Sequence, residues 1–154
     1  METSQFTKAI NAKFKGAVLD SGPFGRSSHH AIWLEMKNLL SVAKYLKDGI
    51  DGFTFESLDN LGVMQVDRVL VLSYFLCTSR SSELLVLRVS LDPQGNEHSL
   101  VIPSVAEVWK SALFFEEYYG KLFGIQFDCS KKPDLLVEMG AKMKSGPLRR
   151  TLSC

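Results

Sequence analysis

Two closely spaced apolar runs constrain this chain more than any other feature: RVLVLSYFLC at 68–77 and ELLVLRVSL at 83–91. Both are dense in Val and Leu and have the length of strands. The spacer between them carries Ser79, Ser81 and Ser82, so the pair predicts an antiparallel hairpin with a somewhat loose loop. A sheet built on this hairpin must bury an apolar face, and the rest of the sequence supplies cover. At 39–50, Leu39, Leu40, Ala43, Leu46 and Ile50 share one helical face while Lys44, Lys47 and Asp48 lie away from it. At 4–15, Phe6, Ile10 and Phe14 recur every four residues, with Ser4 as a candidate cap and Gly16 as a stop.

Shorter elements fill the remainder. Residues 17–19 and 30–36 suit strands, separated by a GPFGRSS turn at 22–28. Residues 53–66 begin with strand-like alternation and predict a bend near Asp59-Asn60, and 92–96 (DPQGN) has the chemistry of a loop. Ser104 and Glu107 have capping-box spacing, in which each side chain satisfies a backbone amide at a helix start. One bent helix or two short ones are therefore expected over 104–110 and 112–123, closed by Gly124. After Phe127 periodicity is lost. The chain divides into an α+β domain at 1–127 and an extended partner-docking tail at 128–154. Strands and helices are partly segregated, which predicts the α+β class, with a small mixed or antiparallel sheet flanked by helices.

Composition narrows the function. The 154 residues are 45% hydrophobic and 23% charged, with a formal net charge of +1, which is ordinary for one soluble domain. A nucleic-acid module would carry a basic excess. No apolar run approaches the roughly 20 residues of a spanning helix, and the polar N-terminus lacks the apolar core of a secretory signal, so any membrane association is expected to run through partners. Cys77, Cys129 and Cys154 are scattered, unlike the paired ligands of a zinc site or the four thiolates of an iron–sulfur cluster. Reduced thiols are expected, with Cys77 buried. His29 and His30 are adjacent, point to opposite faces of a strand and have no third ligand nearby in sequence. No G-x-G-x-x-G, P-loop or G-x-S-x-G turn occurs.

The C-terminal third, VIPSVAEVWKSALFFEEYYGKLFGIQFD with GPLRR further on, resembles the C subunit of bacterial respiratory complex I, also called the 30-kDa subunit. That family's pattern runs Pro-Ser-Val, a Trp, Glu-Arg-Glu, Tyr-Asp, Phe-Gly-Ile and finally His-Pro-Leu-Arg-Lys-Asp-Tyr. Pro103, Ser104, Val105, Trp109, Glu116, Phe123, Gly124 and Ile125 match, as do Pro147, Leu148 and Arg149, with Arg150 in place of Lys. The chain departs at Glu117, Tyr118 and Gly120-Lys121, which replace the Arg, the second Glu and Tyr-Asp, and at Thr151-Leu152. Upstream, 13–19, 55–63 and 68–76 follow the family in order. The specific part is 103–125.

The resemblance implies a non-catalytic scaffold subunit in the peripheral arm of an NADH:quinone oxidoreductase, on the cytoplasmic face of the inner membrane. It implies no cofactor on this chain, with iron–sulfur clusters and flavin on partner subunits. The expected partners are the large quinone-site subunit and neighbouring iron–sulfur subunits. The corresponding subunit of a membrane-bound nickel–iron hydrogenase is the alternative within the superfamily, and a non-redox interaction adaptor is the alternative outside it.

The residues expected to meet partners are Trp109, Glu116, Tyr118, Phe123, Pro147, Leu148, Arg149 and Arg150. On a helix, Phe115, Tyr119 and Leu122 or Phe123 make one apolar face with Phe114 and Tyr118 to its side, so core packing accounts for most of these aromatics and a partner for the rest. Glu116 and Glu117 point about 100° apart and make no acid/base pair; a solvated or interfacial charge is expected for each. Lys131, Lys132, Lys142 and Lys144 add to the basic character of the tail, which suits a docking strap against acidic residues.

Overall fold

In a computed structural model, residues 3–27, 29–93 and 100–128 are described. The two apolar runs become β4 (Val69–Thr78) and β5 (Ser81–Leu91), paired antiparallel. The loop between them is not loose. Thr78 pairs with Ser81, which leaves only Ser79-Arg80 as the turn, and a bulge after Leu76 absorbs the extra residues of β5. The serines that suggested a longer loop are partly strand.

Upstream of β4 stands β3 (Ser57–Val66), reached through a two-residue turn in which Asp67 takes φ +54°. The bend expected near Asp59-Asn60 is a register shift between Leu58 and Asn60. β1 (Val18–Pro23) and β2 (His30–Leu34) form a second antiparallel hairpin. Here 21–23 continues the strand instead of ending it. β2 joins β5 in parallel, giving one five-stranded mixed sheet in the order β1-β2-β5-β4-β3. The α+β expectation holds.

One face of this sheet is covered by α1 (Thr3–Lys13) and α2 (Leu39–Asp48). Phe6 and Ile10 of α1, and Leu39, Val42, Ala43 and Leu46 of α2, are buried with Leu72, Tyr74 and Leu87 of the sheet in one core. Periodicity placed most of each stripe, because the burial of an apolar stripe is what stabilises such short helices; in α2 Val42 is buried in place of the expected Leu40, and Phe14 and Ile50 lie just beyond the ends of their helices. α1 starts at Thr3, so Ser4 lies inside it and is not its cap. α2 ends at Gly49, whose φ of +106° suits glycine; a 3₁₀ turn at Met36–Asn38 precedes it.

The region after β5 differs most from expectation. Residues 106–108 and 110–111 form turns, not a helix, and the helix α3 runs only over Ala112–Phe123. Two four-residue strands flank it: β6 (Leu100–Pro103) and β7 (Ile125–Asp128) pair in parallel as a second sheet. α3 is their crossover, and Gly124 in the left-handed region (φ +68°) turns the chain into β7. Gly120 lets the helix lie against that strand. A Cβ there would sit 2.8 Å from the Ile125 carbonyl oxygen, closer than side chains come. The tail motif Pro147, Leu148, Arg149 and Arg150, with Cys129 and Cys154, lies outside the described residues, as does most of the loop expected at 92–96.

Candidate interaction site on the C-terminal helix

Three of the four expected partner-facing residues that the structure describes are buried. Trp109 is 2% exposed, its ring in the core and its indole N–H donating to the Phe55 carbonyl oxygen at 2.8 Å. Ser111 Oγ donates to the Leu58 carbonyl oxygen at 2.8 Å. The segment before α3 is thus fastened to the segment that leads into β3 by two side chains. Phe123 is buried at the other end of the helix.

Glu116 is the correction with the most chemistry. It is 3% exposed and not a solvated charge. Its Oε2 accepts from Ser104 Oγ at 2.5 Å, and its Oε1 accepts from the Val105 N–H at 2.9 Å. Ser104 Oγ also accepts from the Ala106 N–H at 3.1 Å. The carboxylate therefore caps the turn that follows β6 from a distance in sequence. This is the role that the spacing assigned to Glu107, which instead pairs with Lys44 of α2 at 2.6 Å. Burial pushes the Glu116 pKa up to about 7, against the opposing pull of the Ser104 and Val105 hydrogen bonds. Tyr74, fully buried on β4, has its own pKa raised by burial and by the Glu116 charge, and its hydroxyl has no partner. The signal for a buried Glu116 was present: Ala112, Glu116 and Phe123 fall on one side of a helix, and the flanking two are apolar.

The opposite side of α3 faces outward. Phe114 is 55% and Tyr118 is 44% exposed, and their rings lie parallel within 8° at 6.4 Å. Tyr118 meets Tyr119 edge-on at 5.2 Å, and Tyr119 leans on Phe123 at 6.3 Å. A chain of rings thus leads from the surface pair to the core. Glu117 and Lys121 pair at 2.9 Å beside it. Of the face expected from 115, 119 and 122 or 123, Phe123 is buried while Phe115, Tyr119 and Leu122 pack half-buried against the core; the buried side is centred on Ala112, Glu116 and Phe123.

Other expectations resolve plainly. Cys77 is free and only partly buried; desolvation first, then Asp59, raises its thiol pKa. His29 Nδ1 accepts the Leu84 N–H at 3.1 Å, a structural link between the β1–β2 hairpin and β5. Among the described residues, no three His, Cys, Asp or Glu side chains converge as a metal site, and no helix is long and apolar enough to cross a membrane. The sequence reading missed Glu56, whose carboxylate accepts from the Ser79 N–H and hydroxyl and ties the entry to β3 to the β4–β5 turn. It also missed Arg88, a charge set between Leu87 and Val89 of β5.

The topology, a mixed sheet backed by two helices and followed by a strand–helix–strand unit, defines a small α+β protein. Residues 32–153 match the family described as the respiratory-chain NADH dehydrogenase 30-kDa subunit, and the chain belongs to that family. It is accordingly a subunit of a multisubunit respiratory complex of the complex-I-like or hydrogenase-like kind. No curated relative matches the sequence significantly. Among solved structures, a chain of the membrane-bound sulfane sulfur reductase, an archaeal respiratory membrane complex, shares the fold. Its TM-score is 0.70 at 12% identity, over 93% of this chain and 80% of that one.

Proposed function

We propose that this chain is a non-catalytic scaffold of the peripheral arm of a complex-I-type NADH:quinone oxidoreductase, packed against the quinone-site subunit on the cytoplasmic side of the membrane. Electron transfer to quinone, and any ion translocation coupled to it, is the work of the assembled enzyme. Flavin and iron–sulfur clusters reside on neighbouring subunits; this chain contributes shape and contact. The observation that carries the reading is the stacked Phe114–Tyr118 pair, exposed on a helix whose other side is fixed to the core by Glu116 and Phe123, with Trp109 anchoring the segment just before it. Rigid, exposed aromatics are common anchors of interfaces, and a pair held by its own helix loses little freedom on binding. The basic tail motif Pro147, Leu148, Arg149 and Arg150 would extend the contact as a strap.

Replacing both Phe114 and Tyr118 by serine tests this. The isolated protein is expected to keep its stability to within about 1 kcal/mol, since neither ring is buried. Recovery of the quinone-site subunit in a mild-detergent affinity purification is expected to fall about ten-fold. Undiminished recovery would remove the helix face from the interface.

A second reading places the chain in a hydrogenase-type complex. The changes at Glu117 and Tyr118 favour it, because the first inverts and the second removes a charge of the complex I pattern. Metal analysis of the same purification separates the two: flavin and iron support the first, nickel the second.

A further inference from the structure

The five-stranded sheet has a second face, opposite α1 and α2. Its side chains stand in rows across the strands. Trp33 of β2 is in register with Arg88 of β5, Arg88 with Ser73 of β4, and Ser73 with Gly62 of β3; the next row is Ser90, Val71 and Met64. The β1–β2 turn covers one end, where Phe24 meets Phe75 edge-on at 5.4 Å. Beyond it the face opens into a groove of about 860 Å³ lined by Trp33 and Arg88, by Met64 and Val66, and by Val69 and Val71, with Asp67, Arg68, Ser90 and Asp92 adding polar groups to its wall.

Two properties of the groove are unusual for a face left to water. The first is its polarity. An antiparallel sheet with one solvated face alternates apolar with polar residues, yet here Met64 is 51% and Val66 is 48% exposed beside a floor of valines. The second is Arg88. Its guanidinium is held 4.2 Å from the Trp33 ring and 5.5 Å from Phe24, and its Nε is buried without a hydrogen-bond partner. None of the ion pairs among the described residues includes it. Desolvation lowers its pKa.

We propose that this groove seats an extended, apolar segment of a partner subunit that lays a carboxylate against Arg88. Apolar side chains of that segment would cover Val71, Met64 and Val66. The stacked guanidinium, already oriented by Trp33, would take the acid in a forked pair. This surface is separate from the face of α3, and the proposal rests on the chain's place in an assembly without depending on which assembly it is.

The test places a photo-crosslinking amino acid at Met64 in the full chain, expressed in its native cells. The complex is purified, irradiated, and the linked peptide sequenced. The expected result is a peptide from another subunit, apolar and bearing Asp or Glu near the link. Both Arg88→Gln and Val66→Asp should lower its yield about ten-fold, because one removes the cation and the other sets like charge against the acid. Val66→Asp alters an exposed side chain, so it remains informative if Arg88→Gln folds poorly. A link to a second copy, to this chain's own residues or to a segment without an acid overturns the proposal. So does the absence of any link from a complex that purifies intact, which leaves the scaffold reading standing. Loss of all partner subunits from the purification overturns both.

Discussion

Trp109→Ala is expected to remove on the order of 3–5 kcal/mol of folding stability, the usual cost of deleting a buried large aromatic. The ring is 2% exposed, and its N–H satisfies the Phe55 carbonyl oxygen. The variant therefore leaves both a cavity and an unpaired buried acceptor. A domain of this size has about 5–15 kcal/mol in total, so a large share of the molecules would be unfolded or degraded in cells. The consequence for function separates scaffold from catalyst. The amount of assembled complex should fall severalfold, while turnover per assembled complex stays near that of the parent. Urea unfolding of the isolated chain and activity normalised to assembled complex measure the two parts. Normal assembly with lost turnover would contradict the scaffold reading.

The second large effect is a pH dependence set by Glu116. A carboxyl whose folded pKa is raised, here from 4.5 to about 7, binds its proton more tightly in the folded state than in the unfolded one. Its contribution to stability is therefore greatest below about pH 4.5, falls as pH rises toward 7, and is constant above that. The full amplitude is on the order of 3 kcal/mol. Glu56 works in the opposite sense: hydrogen bonds from its own backbone and from Ser79 lower its pKa, so its stabilisation is lost as pH falls. Comparison with Glu116→Gln isolates the first effect. Glutamine keeps an acceptor for the Val105 N–H and has no ionisation to suppress. The variant should gain on the parent between pH 5 and 8 by most of that amplitude in urea titrations. A difference that does not change with pH would mean that Glu116 is ionised throughout this range.

How far the fold was legible depended on whether a signal was local. β4 and β5 announced themselves because ten of their positions, among them Leu70, Leu72, Val86 and Leu87, are buried apolar residues in closely spaced runs. α2 was legible because its stripe is buried and its opposite face is charged. β6 and β7 were not. Each has four residues, and each finds its partner on the far side of α3 in parallel pairing, which leaves no turn signature between them. The Ser104 motif misled for a related reason. S-x-x-E names a geometry that exists only if a helix starts there, and the chain instead makes a turn in which Glu116, twelve residues from Ser104, accepts the Ser104 hydroxyl and the Val105 N–H. The aromatic face of α3 was read in part, since a period of 3.6 sorts the inward rings from the outward ones. The groove beside Arg88 was beyond reach, because it is assembled from strands whose order in the sheet differs from their order in the chain.

That order also bears on biosynthesis. β3, β4 and β5 are consecutive and form a meander from neighbours in sequence, whereas β2 pairs with β5 across a contact such as Leu84 to His29, 55 residues apart. Closing so long a loop is slow relative to forming local hairpins. In refolding followed by pulsed hydrogen exchange, Leu72 should gain protection before Ile32. On the ribosome, the first hairpin emerges with the apolar residues Ala31, Ile32 and Leu34 along an unpaired strand edge, and it waits for β5 to be made before that edge can be covered.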